Sequence, residues 1–248
     1  SVVMMTYERN PEELIVSLGS LSAQTFTPRE IIVVDTNYPM ANPYSDGIRD
    51  VVSRFPLAKL VRCPYPTFSL SLGMNIGIQH TVPDSMFVMA TCPEMIFSET
   101  VLEWLFPHLL LDKRFYIAPC GRLNDDAKIP DEPWKEWELF SRLIERYPPY
   151  TFSLGTFIVI DREWWFRVHG YDEIHHPYNW ADSDITMRAK MDGYSMMVLP
   201  WEDAQVLHIW HPQSPHLYGV SSQYIDPEFG IYRNPDRWGE IIVRHPES

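Results

Sequence analysis

The sequence predicts an α/β domain in which helices cover both faces of a mixed, mainly parallel sheet. Short apolar runs of strand length alternate with amphipathic stretches of helix length along most of the chain. The 248 residues suit one large α/β domain or two small ones, and an apolar fraction of 45% allows a full core to be buried. No G-x-G-x-x-G and no G-x-x-x-x-G-K-[ST] stretch is present, which argues against dinucleotide and P-loop enzymes.

The start of the chain predicts one βαβ unit within about 35 residues. "SVVMMTY" is typical of a buried strand, and "EIIVVDTN" predicts a second strand that ends at Asp35. Between them, Asn10 suits a helix cap, Pro11 the first helical position and Glu13 the third position of a capping box. Such a unit, with its right-handed crossover, is typical of a Rossmann-like nucleotide-binding sheet.

The later segments continue this alternation. The predicted helices lie in "SDGIRDVVSRF", "SLSLGMNIGIQHT", "SETVLEWLFPHLLLD" with Ser98 as its cap, the second half of "GTFIVIDREWWFRVHGYDE", and "DSDITMRAKMDGY". The predicted strands are "AKLVRC", "SMFVMA", "RFYIAPCGRL", the start of "GTFIVIDREWWFRVHGYDE" and two within "SMMVLPWEDAQVLHIWHP". The polar, proline-broken stretch over 124–150 predicts an excursion over the active face.

Composition excludes several classes of protein. A formal net charge of −13 argues against a broad nucleic-acid or anionic-lipid surface. Three separated cysteines, Cys63, Cys92 and Cys120, fit free thiols in a reducing compartment better than a disulfide framework. No apolar run of about 18 residues and no signal peptide is recognised. We therefore expect a soluble, cytoplasmic protein without a membrane span.

Polar residues follow two of the predicted strands. Asp35 and Glu94 lie at carboxyl ends, where open parallel sheets bind ligands. After the first strand, "TYERNPEE" offers Tyr7 for stacking on a base and Arg9 for a phosphate. The alternative for this stretch is a solvated turn that starts a helix.

Six segments together carry a resemblance to a known family: "SVVMMTYERNPEELIVSLGSLSAQTFTPREIIVVDTN", "LSLGMNIGIQH", "MFVMATCPEMIFSE", "GTFIVIDREWWFRVHGYDE", "NWADSDITMRAKMDGY" and "VLHIWHP". In this order and spacing they resemble the family-2-like inverting glycosyltransferases of the GT-A fold. The resemblance implies a GT-A domain over 1–212, with a nucleotide-binding half of about 1–98 and an acceptor half of about 99–212. A segment over 213–248 is expected to wrap the surface.

The resemblance also implies site residues. The nucleoside of a sugar nucleotide would be held by Thr6, Tyr7, Arg9, Asp35 and Asn75. Two departures bear on these contacts. Thr36 stands where the family usually has a second acid, and Met74 stands where it often has arginine.

The family's D-x-D pair becomes "CPE" in this chain, so Glu94 is the only acid that remains of it. The resemblance places His208 where the family can use a histidine for the metal, and His211 lies close behind it. Imidazole ligands favour Mn²⁺ over Mg²⁺. Two alternatives stay open: the histidines are ordinary packing or surface groups, or the enzyme is independent of metal and uses cationic side chains on the leaving group.

Asp182 in "WADSDITMR" aligns with the family's catalytic base, which takes the proton of the acceptor hydroxyl. Ala181 replaces the usual neighbouring glutamate. Asp184 and Trp180 are expected at the acceptor, with Arg188 as a partner for Asp184. The alternative is that both aspartates are helix-start acids favoured by the helix dipole. Candidates for a sugar platform are Trp134, Trp137, Trp180 and Trp210, each of which is more often a packing residue.

These observations predict a glycosyltransferase that moves a sugar from a nucleotide diphosphate sugar, with a UDP-sugar favoured, to an unknown hydroxyl acceptor with inversion. The alternative is an inactive sugar-nucleotide or glycan-binding module of the same fold. A nucleotidyltransferase would need a glycine-rich basic loop after the first strand, and "TYERNPEE" has no glycine.

Overall fold

The computed structural model describes residues 1–37, 43–63, 68–123, 127–138, 157–174, 180–211 and 233–240. Its strands are β1 (Val2–Thr6), β2 (Ile31–Asp35), β3 (Ala58–Arg62), β4 (Phe87–Thr91), β5 (Met95–Phe97), β6 (Arg114–Ile117), β7 (Cys120–Arg122), β8 (Phe157–Asp161), β9 (Ser195–Val198) and β10 (Val206–His208). Its helices are α1 (Pro11–Ser22), α2 (Pro43–Val52), α3 (Leu70–Gln79), α4 (Val101–Leu109), α5 (Arg162–Val168) and α6 (Ala181–Met191).

Among the described residues, seven strands form the main sheet in the order β3-β2-β1-β4-β8-β6-β9. All neighbouring pairs are parallel except those of β8, which runs antiparallel to both β4 and β6. The chain moves outward from β1 to β3 and then returns through α3 to place β4 on the other side of β1. The strand order therefore reverses between β1 and β4.

Alternating side chains of the central strands supply two cores. Val2 and Met4 of β1 belong to the core shared with α1, α2 and α4. Val3 and Met5 belong to the opposite core, which α3, α5 and α6 cover. Continuous apolar strands of this kind need helices on both faces, as the sequence predicts.

A second sheet of three strands was absent from the prediction. β10 pairs antiparallel with β5 and parallel with β7. Its small core consists of Ile96, Leu123, Leu207 and Ile209. The predicted strand "RFYIAPCGRL" is in fact two strands, β6 and β7, which belong to different sheets.

Of the two helix caps predicted from the sequence, Asn10 and Ser98, the structure shows Asn10. The Asn10 side chain accepts a hydrogen bond from the Glu12 backbone N–H, as expected of an N-cap. The prediction that Ser98 caps α4 is wrong, because Thr100 occupies that position without a side-chain cap bond. Ser98 instead accepts a hydrogen bond from the Gln205 backbone at 3.1 Å, which ties it to the segment before β10.

Residues 233–240 pack against the α3 and α5 side of the domain. The Trp238 ring stacks on His169 at a centroid distance of 5.8 Å, and the Asn234 carbonyl lies 2.6 Å from His169 Nδ1. Most of 124–150 and of 213–248 lies outside the described residues. Within the described part of the chain, no helix combines the length and apolar character needed to cross a bilayer.

Candidate active site

The carboxyl ends of β1 and β4 bring the two predicted ligand-binding loops side by side. Thr6 ends β1 and leads through Tyr7 to Arg9, whereas Thr91 ends β4 and leads to Glu94. β1 and β4 are adjacent parallel strands, so both loops leave the same edge of the sheet. This edge is the reversal point of the strand order, where ligands bind in open α/β sheets.

The small sheet brings Glu94 and the two histidines together. His208 pairs with Met95 in the β10–β5 register, and the Ile209 N–H donates to the Glu94 carbonyl at 2.8 Å. One ligand atom from each of Glu94, His208 and His211 lies within 4.8 Å of the others. The structure therefore assembles the three residues that the sequence singled out.

These residues fit a divalent ion. Ligand atoms about 2.0–2.2 Å from such an ion lie at most about 4.4 Å apart, so small side-chain adjustments suffice. Glu94 is buried at 2% exposure, and its Oε1 has no hydrogen-bond donor of suitable geometry among the described residues. One carboxylate with two imidazoles suits a transition metal such as Mn²⁺ better than Mg²⁺.

Arg9 lies inside this cluster. Its Nε is 2.5 Å from Glu94 Oε1, and its Nη1 is 2.9 Å from His211 Nδ1. The sequence predicts that Arg9 contacts a phosphate of the nucleotide. In the structure, its guanidinium lies between Glu94, in the loop after β4, and His211, which follows β10.

Glu13 is a site residue that the sequence did not identify. Its Oε2 is buried without a hydrogen-bond partner among the described residues. Burial and then the Glu94 charge raise the pKa of Glu13 to about 7, against a smaller lowering by Arg9. In the sequence, Glu13 is an ordinary acid in the first turn of a helix, and only the folded arrangement reveals its neighbours.

The predicted nucleoside contacts line the β1–β2 end of the same edge. Asp35 is buried at 2% exposure and accepts hydrogen bonds from both the backbone and the side chain of Asn37. Thr6 pairs with Asp35 in the sheet, and Tyr7 packs against Phe68 at a centroid distance of 5.4 Å. Thr6, Tyr7 and Asp35 therefore lie close together at the carboxyl ends of β1 and β2.

Asn75 is hydrogen-bonded to the loop after α5. It is fully buried, and its Nδ2 donates to the Tyr171 carbonyl at 2.8 Å and to Glu173 at 2.7 Å. Its Oδ1 accepts from the Tyr171 N–H at 2.7 Å. The amide thus joins α3 to the loop after α5, and its contact with a nucleotide stays a prediction.

Asp182 lies in the first turn of α6 with a half-buried side chain. Burial raises its pKa to about 6. Burial, then Asp182, then Cys92 raise the pKa of the buried Tyr171 well above its ordinary value. Asp182 and Cys92, which lies in the loop after β4, are therefore both within electrostatic range of the Tyr171 hydroxyl.

The neighbours of Asp182 have distinct environments. The Asp184 carboxylate pairs with Arg188 at 2.7 and 2.8 Å, and both side chains are nearly buried. Arg188 also donates to the Gly170 carbonyl at 2.9 Å. This pair holds α6 to the loop after α5, so Asp184 has a structural role besides the predicted contact with an acceptor.

The tryptophans differ in exposure. Trp180 precedes α6 with a left-handed φ of 64° and is 58% exposed, and Trp210 is 48% exposed. Trp134 is buried against Gly19, and Trp137 donates to Gln205. Of these four described tryptophans, Trp180 and Trp210 are the exposed ones, and Trp180 is two residues from Asp182.

The comparisons with known proteins concern the fold. No protein-family model and no curated protein matches the chain. Among solved structures, it is similar to the mannosyltransferase PcManGT from Pyrobaculum calidifontis in complex with GDP-Man and Mn²⁺, at 18% identity and a TM-score of 0.59. The match covers 87% of this chain and 57% of that one, so the chain spans little more than half of its length. The likeness confirms the predicted fold, a mixed, mainly parallel α/β sheet that is GT-A-like.

Proposed function

We propose that this chain transfers a sugar from a nucleotide diphosphate sugar to an acceptor hydroxyl with inversion. The observation that carries the proposal is the metal-ligand cluster of Glu94, His208 and His211, and a separate carboxyl group with a raised pKa, Asp182 at the start of α6, supports it. The first suits a diphosphate, and the second suits an incoming alcohol. The fold supports the same class of reaction, because a mannosyltransferase shares it.

Asp182 acts as the general base in this proposal. Its carboxylate takes the proton of the acceptor hydroxyl while that oxygen attacks the anomeric carbon. The bond from that carbon to the diphosphate oxygen breaks on the opposite face of the sugar, so the anomeric configuration inverts. A pKa of about 6 leaves Asp182 mostly ionised at neutral pH, and a better base than an exposed aspartate.

The diphosphate lies at Glu94, His208 and His211 in this proposal. A divalent ion there, with Mn²⁺ favoured, supplies charge neutralisation for the leaving diphosphate. Asp35, Tyr7 and Thr6 hold the nucleoside, and Trp180 offers its exposed ring to the acceptor. UDP-sugars are the donor class favoured by the sequence, and GDP-Man is the ligand named for the similar mannosyltransferase, so both belong in the first test.

Turnover of nucleotide sugars tests the proposal. Release of nucleoside diphosphate is measured with UDP- and GDP-sugars and Mn²⁺, since water can stand in for the unknown acceptor. We expect Asp182→Asn to lower kcat by about 10²–10⁴-fold. The matched control is Asp84→Asn, an exposed aspartate before β4 whose ion pair with Arg29 lies on the surface. Full activity in Asp182→Asn would refute the assignment of the base.

The binding module is the second candidate. The replacement of an aspartate pair by "CPE" favours it. Tight binding of a donor without turnover of any donor, in the presence of Mn²⁺, would support the module and exclude the transferase. The anomeric configuration of a product, read by NMR, decides separately between inversion and retention.

A further inference from the structure

The Arg9 guanidinium contacts two of the three candidate metal ligands, Glu94 and His211. Arginine has only N–H donors and keeps its proton, so His211 Nδ1, 2.9 Å from Nη1, presents a lone pair to it. A metal ion at Nδ1 would need the same lone pair, and one at Nε2 would need the tautomer whose Nδ1–H faces the Arg9 donors. Arg9 also lies 2.5 Å from Glu94 Oε1, the buried carboxylate oxygen of the cluster.

We infer that Arg9 is an internal cation that competes with the metal for Glu94 and His211, and that Glu13 receives Arg9 when the metal displaces it. The inference rests on the metal site of the proposed function and adds to it two residues with positioning roles. A guanidinium and a divalent ion repel each other, and they cannot share the same two ligand atoms. Metal binding therefore requires the Arg9 side chain to move.

Glu13 is the acceptor that the structure offers. Its Oε2 is buried and has no hydrogen-bond partner among the described residues. It lies in the first turn of α1, four residues after Arg9 in the chain, and both Arg9 and Glu94 act on its charge. With Arg9 at Glu13 and the metal at Glu94, each cation has one carboxylate, and no buried carboxylate lacks a partner.

A titration with Mn²⁺ alone, followed by the EPR signal of the free ion, tests the competition without any donor. Arg9→Met keeps an apolar stem and removes the charge, so we expect it to bind Mn²⁺ about tenfold more tightly than the wild type. Glu13→Gln leaves the displaced Arg9 without a carboxylate, so we expect it to bind Mn²⁺ about fivefold more weakly. Arg9→Gln serves as a second variant if Arg9→Met does not fold.

Two substitutions on the surface serve as matched controls. Arg54→Met and Glu12→Gln make the same chemical changes at exposed positions, and we expect the Mn²⁺ affinity to stay within about twofold of the wild type. Equal or weaker Mn²⁺ binding in Arg9→Met would overturn the competition. An unchanged affinity in Glu13→Gln would overturn the role of Glu13 as acceptor of Arg9.

The outcomes separate this inference from the proposed function. Tighter Mn²⁺ binding in Arg9→Met, together with no turnover of any nucleotide sugar, would uphold the inference and refute the transferase. Turnover by a protein that binds no Mn²⁺, as wild type or as Arg9→Met, would refute the inference and uphold the transferase in a form that needs no metal.

Discussion

Replacing Glu13 by Gln tests the electrostatics of the site without substrate or metal. A glutamate whose pKa is raised in the folded protein binds a proton more tightly there than in the unfolded chain. Between its ordinary pKa of 4.5 and the raised value of about 7, the wild type therefore loses stability as the pH rises. Glutamine resembles the protonated form at every pH, so the variant escapes this loss.

The magnitude follows from the raised pKa. A change from 4.5 to about 7 corresponds to about 3 kcal/mol of folding free energy lost above pH 7. The side chain is only half-buried, and solvent screens its interaction with Glu94, so we expect about 1–2 kcal/mol. Glu13→Gln should gain this stability over the wild type at pH 8 and little of it at pH 5.

Urea unfolding in EDTA at pH 5 and pH 8, followed by tryptophan fluorescence, measures the difference. Glu12→Gln is the matched control, because Glu12 is exposed in the same first turn of α1. It should lose only a few tenths of a kcal/mol at both pH values, through the helix dipole. A Glu13→Gln variant that is less stable than the wild type at pH 8 would refute the view of Glu13 as a buried, unbalanced carboxyl group.

Three further outcomes follow from described contacts. If Asp182 is the base, kcat/KM should fall about tenfold per pH unit below pH 6, because protonation removes the base; a rate independent of pH from 5 to 7 would contradict this. Asp184→Asn should lower the free energy of unfolding, measured with urea, by about 3–5 kcal/mol, because it leaves the buried Arg188 charge without a carboxylate. A loss below about 1 kcal/mol would show that the Asp184–Arg188 ion pair is not important for stability. Gly19→Ala should cost about 1–3 kcal/mol and change tryptophan fluorescence, since its Cβ would lie 2.1 Å from the Trp134 ring, whereas an unchanged spectrum would count against that packing.

The main sheet could be predicted because its strands and helices show local sequence patterns. The βαβ unit from β1 to β2 has apolar strands, a capping Asn10 and a proline at the first helical position, and each feature acts within a few residues. Short-range features of this kind are visible in a sequence, because hydrophobic periodicity and capping need no distant partner. The reversal of strand order after α3 also agrees with the resemblance to the GT-A fold.

The small sheet could not be predicted in the same way. β5 has three residues and shows no periodicity, and its partner β10 is far away in the chain. The pairing is nevertheless what places Glu94 beside His208. The sequence could therefore nominate the metal ligands from a resemblance, but not the backbone contacts that hold them together.

Two features of the site that the sequence did not show depend on tertiary neighbours: the contacts of Arg9 and the burial of Glu13. Arg9 follows β1 and was assigned to a phosphate, because a basic side chain in that loop commonly binds one. In the structure it contacts Glu94 and His211. Glu13 was noted for capping, whereas its distinguishing property is burial beside another carboxylate.

The charges around Glu94 explain how a single carboxylate can serve where the resembling family has a pair of acids. Without a metal, the Arg9 guanidinium balances Glu94, and Glu13 is partly protonated near pH 7 because burial and the Glu94 charge hold its proton. A divalent cation at Glu94 would offset the negative charge of Glu94, and the pKa of Glu13 would then fall. The first turn of α1 thus offers a carboxylate to the displaced Arg9, so the charge of Glu94 stays available to the metal. The acid that Glu94 lacks in "TCPEM" is therefore replaced by a group that balances Arg9 and not by a second metal ligand.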